Sequence, residues 1–103
     1  MSNSIHYSEE RQSREWLITN VIGIGNVIDK FVWDKGHPNG AEIHCITDTG
    51  IIIIYNQRTG KMVTQLIARP QQIKRYYERE GRQAPRYVVE LAFEHQQKGY
   101  NNA

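Results

Sequence analysis

The sequence is poor in most of the features that fix a protein's compartment or chemistry. It has one cysteine, Cys45, so no internal disulfide can form, which fits a reducing compartment. No stretch approaches the ~20 apolar residues of a membrane span. Met1 to Glu10 lacks the apolar centre of a signal peptide. Cytoplasmic residence with no membrane attachment is the expectation. Metal and cofactor motifs are missing too. There is no pair of Cys-x-x-Cys or His-Glu-x-x-His spacings for zinc. His44 and Cys45, adjacent on a strand, point to opposite faces and cannot share an ion. No phosphate loop precedes a helix. Gly23-Ile24-Gly25 is a fragment of a dinucleotide fingerprint without its βαβ setting, and no serine sits in a nucleophile elbow. No metal and no cofactor are expected.

What is present suits one small folded domain. The chain has 103 residues, 39% hydrophobic and 23% charged, which is ordinary for a globular protein and enough for one modest core. Met1 to Tyr7 is polar and reads as a loose terminus, and residues 100–103 read as another, leaving 8–99 as the domain. Ser8 is a suitable N-cap, with Glu9 and Glu10 favoured in a first helical turn. That helix runs through Trp16 and Leu17 towards Ile22, where Gly23 and Gly25 break it.

Val27 to Asp34 is rich in β-branched and aromatic residues and leads into Lys35-Gly36-His37-Pro38-Asn39-Gly40, a strong turn signal. It is expected as a strand, with a helix as the alternative. Ala41 to Thr47 alternates, with Ile43, Cys45 and Thr47 on one face and Glu42, His44 and Ile46 on the other. Ile51 to Tyr55 is continuously apolar, as expected of a central strand covered on both faces. Lys61 to Arg69 is the last strand, with Met62, Thr64, Leu66 and Ala68 facing one way. Short turns between these runs imply an antiparallel meander. Pro70 opens a helix that Gly81 closes. A final helix runs from Pro85 to Gly99, burying Val88, Leu91, Ala92 and His95. The fold class is therefore α+β: an N-terminal helix, a meander of three to four strands, and two C-terminal helices packed on a face of the sheet.

The net charge is only +2, but it is unevenly distributed. From Gln57 to Arg79 there are six basic residues, Arg58, Lys61, Arg69, Lys74, Arg75 and Arg79, against the single acid Glu78. A one-sided basic patch suits an anionic partner, although such runs are also ordinary solvated surface. Arg58, Lys61, Arg69, Lys74, Arg75, Tyr76 and Arg79 are the candidate nucleic-acid contacts. Guanidinium groups bind phosphate bidentately, and tyrosine offers a stacking face to an unpaired base.

For catalysis the candidates are His44, His37, Thr64 and Arg75. His44 on an open sheet face, or His37 in its turn, has the range to move protons near neutral pH. Thr64 would orient a phosphate oxygen and Arg75 would stabilise charge on phosphorus. Each has a plain alternative. His44 is equally a histidine hydrogen-bonded beneath a helix, His37 a polar loop residue, and Thr64 an ordinary strand threonine bonded to a carbonyl or across the sheet.

The stretch Ala41 to Tyr77 carries a further pattern. Its parts are Glu42-Ile43-His44, then Thr47-Asp48-Thr49-Gly50-Ile51-Ile52-Ile53-Ile54-Tyr55-Asn56, then Thr59-Gly60-Lys61-Met62-Val63-Thr64. A glycine-led apolar strand, a short Asn/Thr/Gly turn and a strand led by Lys61 and carrying Thr64 resembles the small toxin-like ribonuclease domains of the barnase, colicin and RelE type. The resemblance covers about half the chain. It implies a metal-independent endoribonuclease, often encoded by phages or prophages, with a histidine and an arginine on the first helix and a threonine or serine on a late strand. His6, Arg11 or Arg14, and Thr64 stand at the matching positions. Two helices follow the sheet here, where many such domains end.

Three functions are compatible with these residues. The leading expectation is a small basic-faced module binding RNA or another nucleic acid, of phage type. The second is the ribonuclease. The third is an inhibitor or assembly protein that binds a protein partner or a second copy of itself through an exposed strand edge.

Overall fold

The computed structural model describes residues 11–36 and 38–102. Residues 11–17 are α-helical and run directly into a π-helical turn, Ile18–Ile22; together they are α1. Then come β1 (Val27–Trp33), β2 (Glu42–Thr47), β3 (Ile51–Asn56), β4 (Met62–Ile67), α2 (Pro70–Glu78), α3 (Arg86–Gln97) and a 3-10 turn, Tyr100–Asn102. The strands form one antiparallel meander in the order β1-β2-β3-β4. This is the expected α+β architecture, and Val27–Trp33 is a strand, so the sheet has four. Among the described residues no helix is long and apolar enough to cross a membrane.

Helices cover both faces of the sheet: α2 and α3 pack on one, as expected, and α1 covers the other. Ile46, Ile52 and Ile54 point towards α2 and α3, where they meet Ile73, Tyr76, Tyr77, Val88 and Ala92. Cys45, Ile51, Ile53 and Ile67 point the other way and meet Ile18 of α1. The isoleucine run of β3 is thereby explained. Each of its four side chains is 7% exposed or less, alternately under one layer and the other. Removing one such side chain from water is worth roughly 1.5–3 kcal/mol, so β3 is the spine of both cores.

Local chemistry sets the ends of the elements. The π turn closes through the Gly23 N–H bonded to Ile18 O at 2.8 Å. Gly25, at φ +72°, cannot be another residue without rearrangement, because an added Cβ would lie 2.2 Å from Asp48 Oδ1. Pro70 occupies the first turn of α2, and Gln72 Oε1 accepts from the Arg69 N–H at 2.9 Å. After α2 the chain turns at Gly81, φ +66°, where the Arg82 N–H returns to Tyr77 O at 2.9 Å.

The face pattern of β4 differs from simple alternation. A bulge lies between the pairs Ile54 with Thr64 and Tyr55 with Met62. It moves Met62 onto the side of Gln65, whose Nε2 lies 3.5 Å from Met62 Sδ. Residues 100–102, set apart from the domain by the sequence, form the 3-10 turn instead. Asn101 is buried and donates from Nδ2 to Ala68 O at 3.2 Å. The N-terminal segment 1–7 and the proposed cap Ser8 lie outside the described residues.

Candidate nucleic-acid interface

Strand register brings two rows of side chains together at one end of the sheet. Trp33 pairs with Glu42 and Glu42 with Asn56; below them Phe31 pairs with His44, His44 with Ile54, and Ile54 with Thr64. Helix α2 and the residue after it bring Tyr76 and Arg79 over these rows.

His44 is the hub. It is 7% exposed, with Nδ1 2.5 Å from the Tyr76 hydroxyl and Nε2 3.0 Å from Glu42 Oε1. An ionised carboxylate only accepts, so Nε2 holds the proton and donates to Glu42, while Nδ1 accepts from Tyr76. Both ring nitrogens are therefore engaged within the protein. The ring also stacks on Trp33, with centroids 5.4 Å apart and planes at 17°. Burial, aided by the Glu42 charge and opposed by Arg79 and Arg75, pushes the Tyr76 phenol up to about 12.

The basic residues divide into two groups. Arg79 lays its guanidinium on the Trp33 ring, Cζ 3.8 Å from the centroid, and the Lys35 ammonium lies 5.8 Å from the same centroid. The Arg58 guanidinium packs against Gly40, where an added methyl would touch it at 3.5 Å. Lys61 stands exposed just before β4, in the turn at this same end. Arg75 is exposed on α2, close enough to lower the Tyr76 pKa. Arg69 sits at the far end of β4, its Nη2 3.4 Å from Asn101 O, and Lys74 lines a groove beside α3. Lys35, Arg58, Lys61, Arg75 and Arg79 thus gather at the Trp33 end, while Arg69 and Lys74 do not. The ion pairs among the described residues join Arg82 to Asp29 and Glu80, Arg86 to Glu90, and His44 to Glu42, and include none of these five cations.

An open pocket of about 300 Å³ lies at this end, lined by Trp33, Lys35, Asn39, Gly40, Glu42, Asn56 and Val63; of the five cations Lys35 lines it, and Arg79 rests on the ring of its Trp33 wall. A larger groove of about 840 Å³ runs beside α3, but its arginines Arg82 and Arg86 are already paired with carboxylates. No group of three metal-ligating side chains occurs among the described residues.

The other candidates fall in several places. Thr64 is not in contact with His44. Ile54 stands between them in the row, and Thr64 Oγ1 accepts from Arg14 Nη2 at 3.2 Å. Arg14 Nε is buried with no acceptor among the described residues. Tyr76 requires a correction as a base-stacking residue. It is 9% exposed, and its ring is packed by Phe31, Trp33 and His44. Its spacing from Ile73, at i+3 on the buried side of α2, is the signal that marks it as core. His37 and His6 lie outside the described residues. His95 is buried, with Nε2 2.8 Å from Thr49 O. Trp33, Lys35 and Glu42 were not selected from the sequence. Glu42 at two residues before His44, on the same strand face, was the available signal.

Comparison with family models, with characterised proteins and with solved structures returned no match for this chain.

Proposed function

We propose that this protein is a binding module for single-stranded RNA or a similar nucleic-acid strand, and that the Trp33 end of the sheet is its contact surface. One observation carries the reading. Lys35, Arg58, Lys61, Arg75 and Arg79 converge there with no carboxylate partner among the described residues. Cations left unpaired at one place repel one another, and an incoming row of phosphates relieves that repulsion while releasing counterions. The aromatic base beneath them holds Arg79 in one orientation, which lowers the entropy lost on binding.

A second reading, a metal-independent endoribonuclease, has its own support. Arg14 and Thr64, two positions implied by the toxin-like resemblance, are hydrogen-bonded at 3.2 Å. In that reading the pair would hold a phosphate oxygen and the proton carrier would come from elsewhere, because His44 has both nitrogens engaged.

Fluorescent single-stranded RNA incubated with the protein in EDTA separates the two. A mobility shift without cleavage is the expected result. Cleavage that survives EDTA and disappears in Thr64→Val would move the enzyme reading to the front. Neither a shift nor cleavage would leave a protein partner as the reading to pursue.

A further inference from the structure

The pocket beside Trp33 has an unusual feature for a surface that attracts phosphates. Its lining includes a carboxylate, Glu42, with a side chain 37% exposed. One oxygen of Glu42 accepts from His44 Nε2 at 3.0 Å, and the other forms no hydrogen bond among the described residues. A carboxylate repels phosphate, so its use at the centre of a cationic surface is to accept hydrogen bonds from a neutral part of the ligand. A nucleotide supplies both kinds of group a short distance apart. It carries an anionic phosphate and, beside it, hydroxyl or N–H donors on the sugar and base.

We infer that this pocket is a single-nucleotide subsite, in which Arg79 and Lys35 take the phosphate and Glu42 takes a donor from the nucleoside. The inference rests on the nucleic-acid reading above and sharpens it. Trp33 is the positioning residue: Arg79 lies 3.8 Å above its centroid and Lys35 5.8 Å away, so one indole fixes both cations. Arg79 makes no side-chain hydrogen bond among the described residues, so its in-plane N–H groups remain available for phosphate oxygens. His44, stacked on Trp33 and bonded to Glu42, ties the anion-binding side to the donor-accepting side. The volume, about 300 Å³, is at the small end for ligand pockets and suits one nucleotide unit rather than a larger cofactor.

The test uses a Trp16→Phe background. Trp16 is 59% exposed, and its replacement leaves Trp33 the only tryptophan. Emission from Trp33 is followed at low salt during titration with guanosine, uridine and 2′-deoxyguanosine monophosphates and with inorganic phosphate. The expected result is a saturable change with nucleotide. Glu42→Gln should weaken nucleotide binding by about tenfold, the size of a hydrogen bond to a charged group, while inorganic phosphate binds no more weakly and gains from the lost repulsion. Arg79→Gln should weaken both. A preference for ribose over deoxyribose would put the 2′-hydroxyl on Glu42, and a preference for guanosine over uridine would put the base there; either supports the subsite. No saturable response, or identical affinity in Glu42→Gln, would overturn it. A single-stranded RNA oligomer is titrated in parallel. If the oligomer binds and mononucleotides do not, the subsite fails and the binding surface stands; if neither binds, both fail.

Discussion

Replacing Tyr76 with phenylalanine removes one oxygen atom and tests the coupling of helix α2 to the sheet. The Tyr76 hydroxyl is 2.5 Å from His44 Nδ1, and the two residues are 9% and 7% exposed. The ring contacts with Phe31, Trp33 and His44 survive in phenylalanine. What is lost is the donor to Nδ1, which then faces the interior with no partner. Leaving a buried acceptor unsatisfied costs about 1–3 kcal/mol. For a domain of this size each kcal/mol lowers the melting temperature by roughly 4–8 °C, so the variant should melt about 5–20 °C lower. Thermal unfolding followed by circular dichroism measures this directly. A cycle with His44→Leu isolates the pair, because in that background Tyr76→Phe removes no bond to Nδ1. A coupling of about 1 kcal/mol or more is expected. A Tyr76→Phe variant as stable as wild type, or a cycle that closes with no coupling, would refute the tautomer assignment and the role of His44 as hub.

Three more consequences can be checked together. Ile52, fully buried beneath α2 and α3, should cost about 2–5 kcal/mol as Ile52→Ala, read from urea unfolding. The raised Tyr76 pKa favours the neutral phenol in the folded state. Its contribution is therefore complete below the unfolded value of about 10 and is lost as the pH rises towards the folded value. Stability measured across that alkaline range should fall, and Tyr76→Phe should flatten the fall; an equal slope in both proteins would contradict the assignment. Finally, Trp33→Leu should reduce RNA affinity by more than its effect on stability explains, because Arg79 loses its platform. A variant that binds RNA as well as wild type would show that the platform is not needed.

The sheet was legible in the sequence because its punctuation is chemical. Gly40, Gly50 and Gly60 mark the hairpins between runs of β-branched residues, and the isoleucines of β3 announce burial on both sides. The helix α1 was legible, but which of its residues reach the core was not. Trp16, its most apolar-looking residue, faces solvent, while Ile18 beside the π turn goes to the core. The bulge at β4 has no sequence signature, so alternation assigned Met62 to the wrong face.

The site was partly legible. Composition along the chain located the cations. It did not distinguish Arg79, which α2 carries onto Trp33, from Arg69, which lies at the other end of β4, because that choice depends on how the helix packs on the sheet. Lys35 joins the cluster from outside the basic segment because it follows Trp33 at the end of β1, where the pairing of β1 with β2 sets its place. Tyr76 and Tyr77 are adjacent and look alike, yet both are buried, with hydroxyls directed to His44 and Asp29 respectively.

The central claim is tested most directly by fluorescence anisotropy of a labelled single-stranded RNA between about 50 and 200 mM salt, the range over which counterion release is large. If Lys35, Arg58, Lys61, Arg75 and Arg79 each meet a phosphate, the logarithm of affinity should fall with the logarithm of salt at a slope of about −3.5, roughly a hundredfold loss over that range. Replacing Arg75 and Arg79 by glutamine should flatten the slope by about 1.4, whereas the same change at Arg69 and Lys74 should leave it nearly intact. Binding that ignores salt, or that depends on Arg69 and Lys74 instead, would contradict the assignment of the Trp33 end as the nucleic-acid surface.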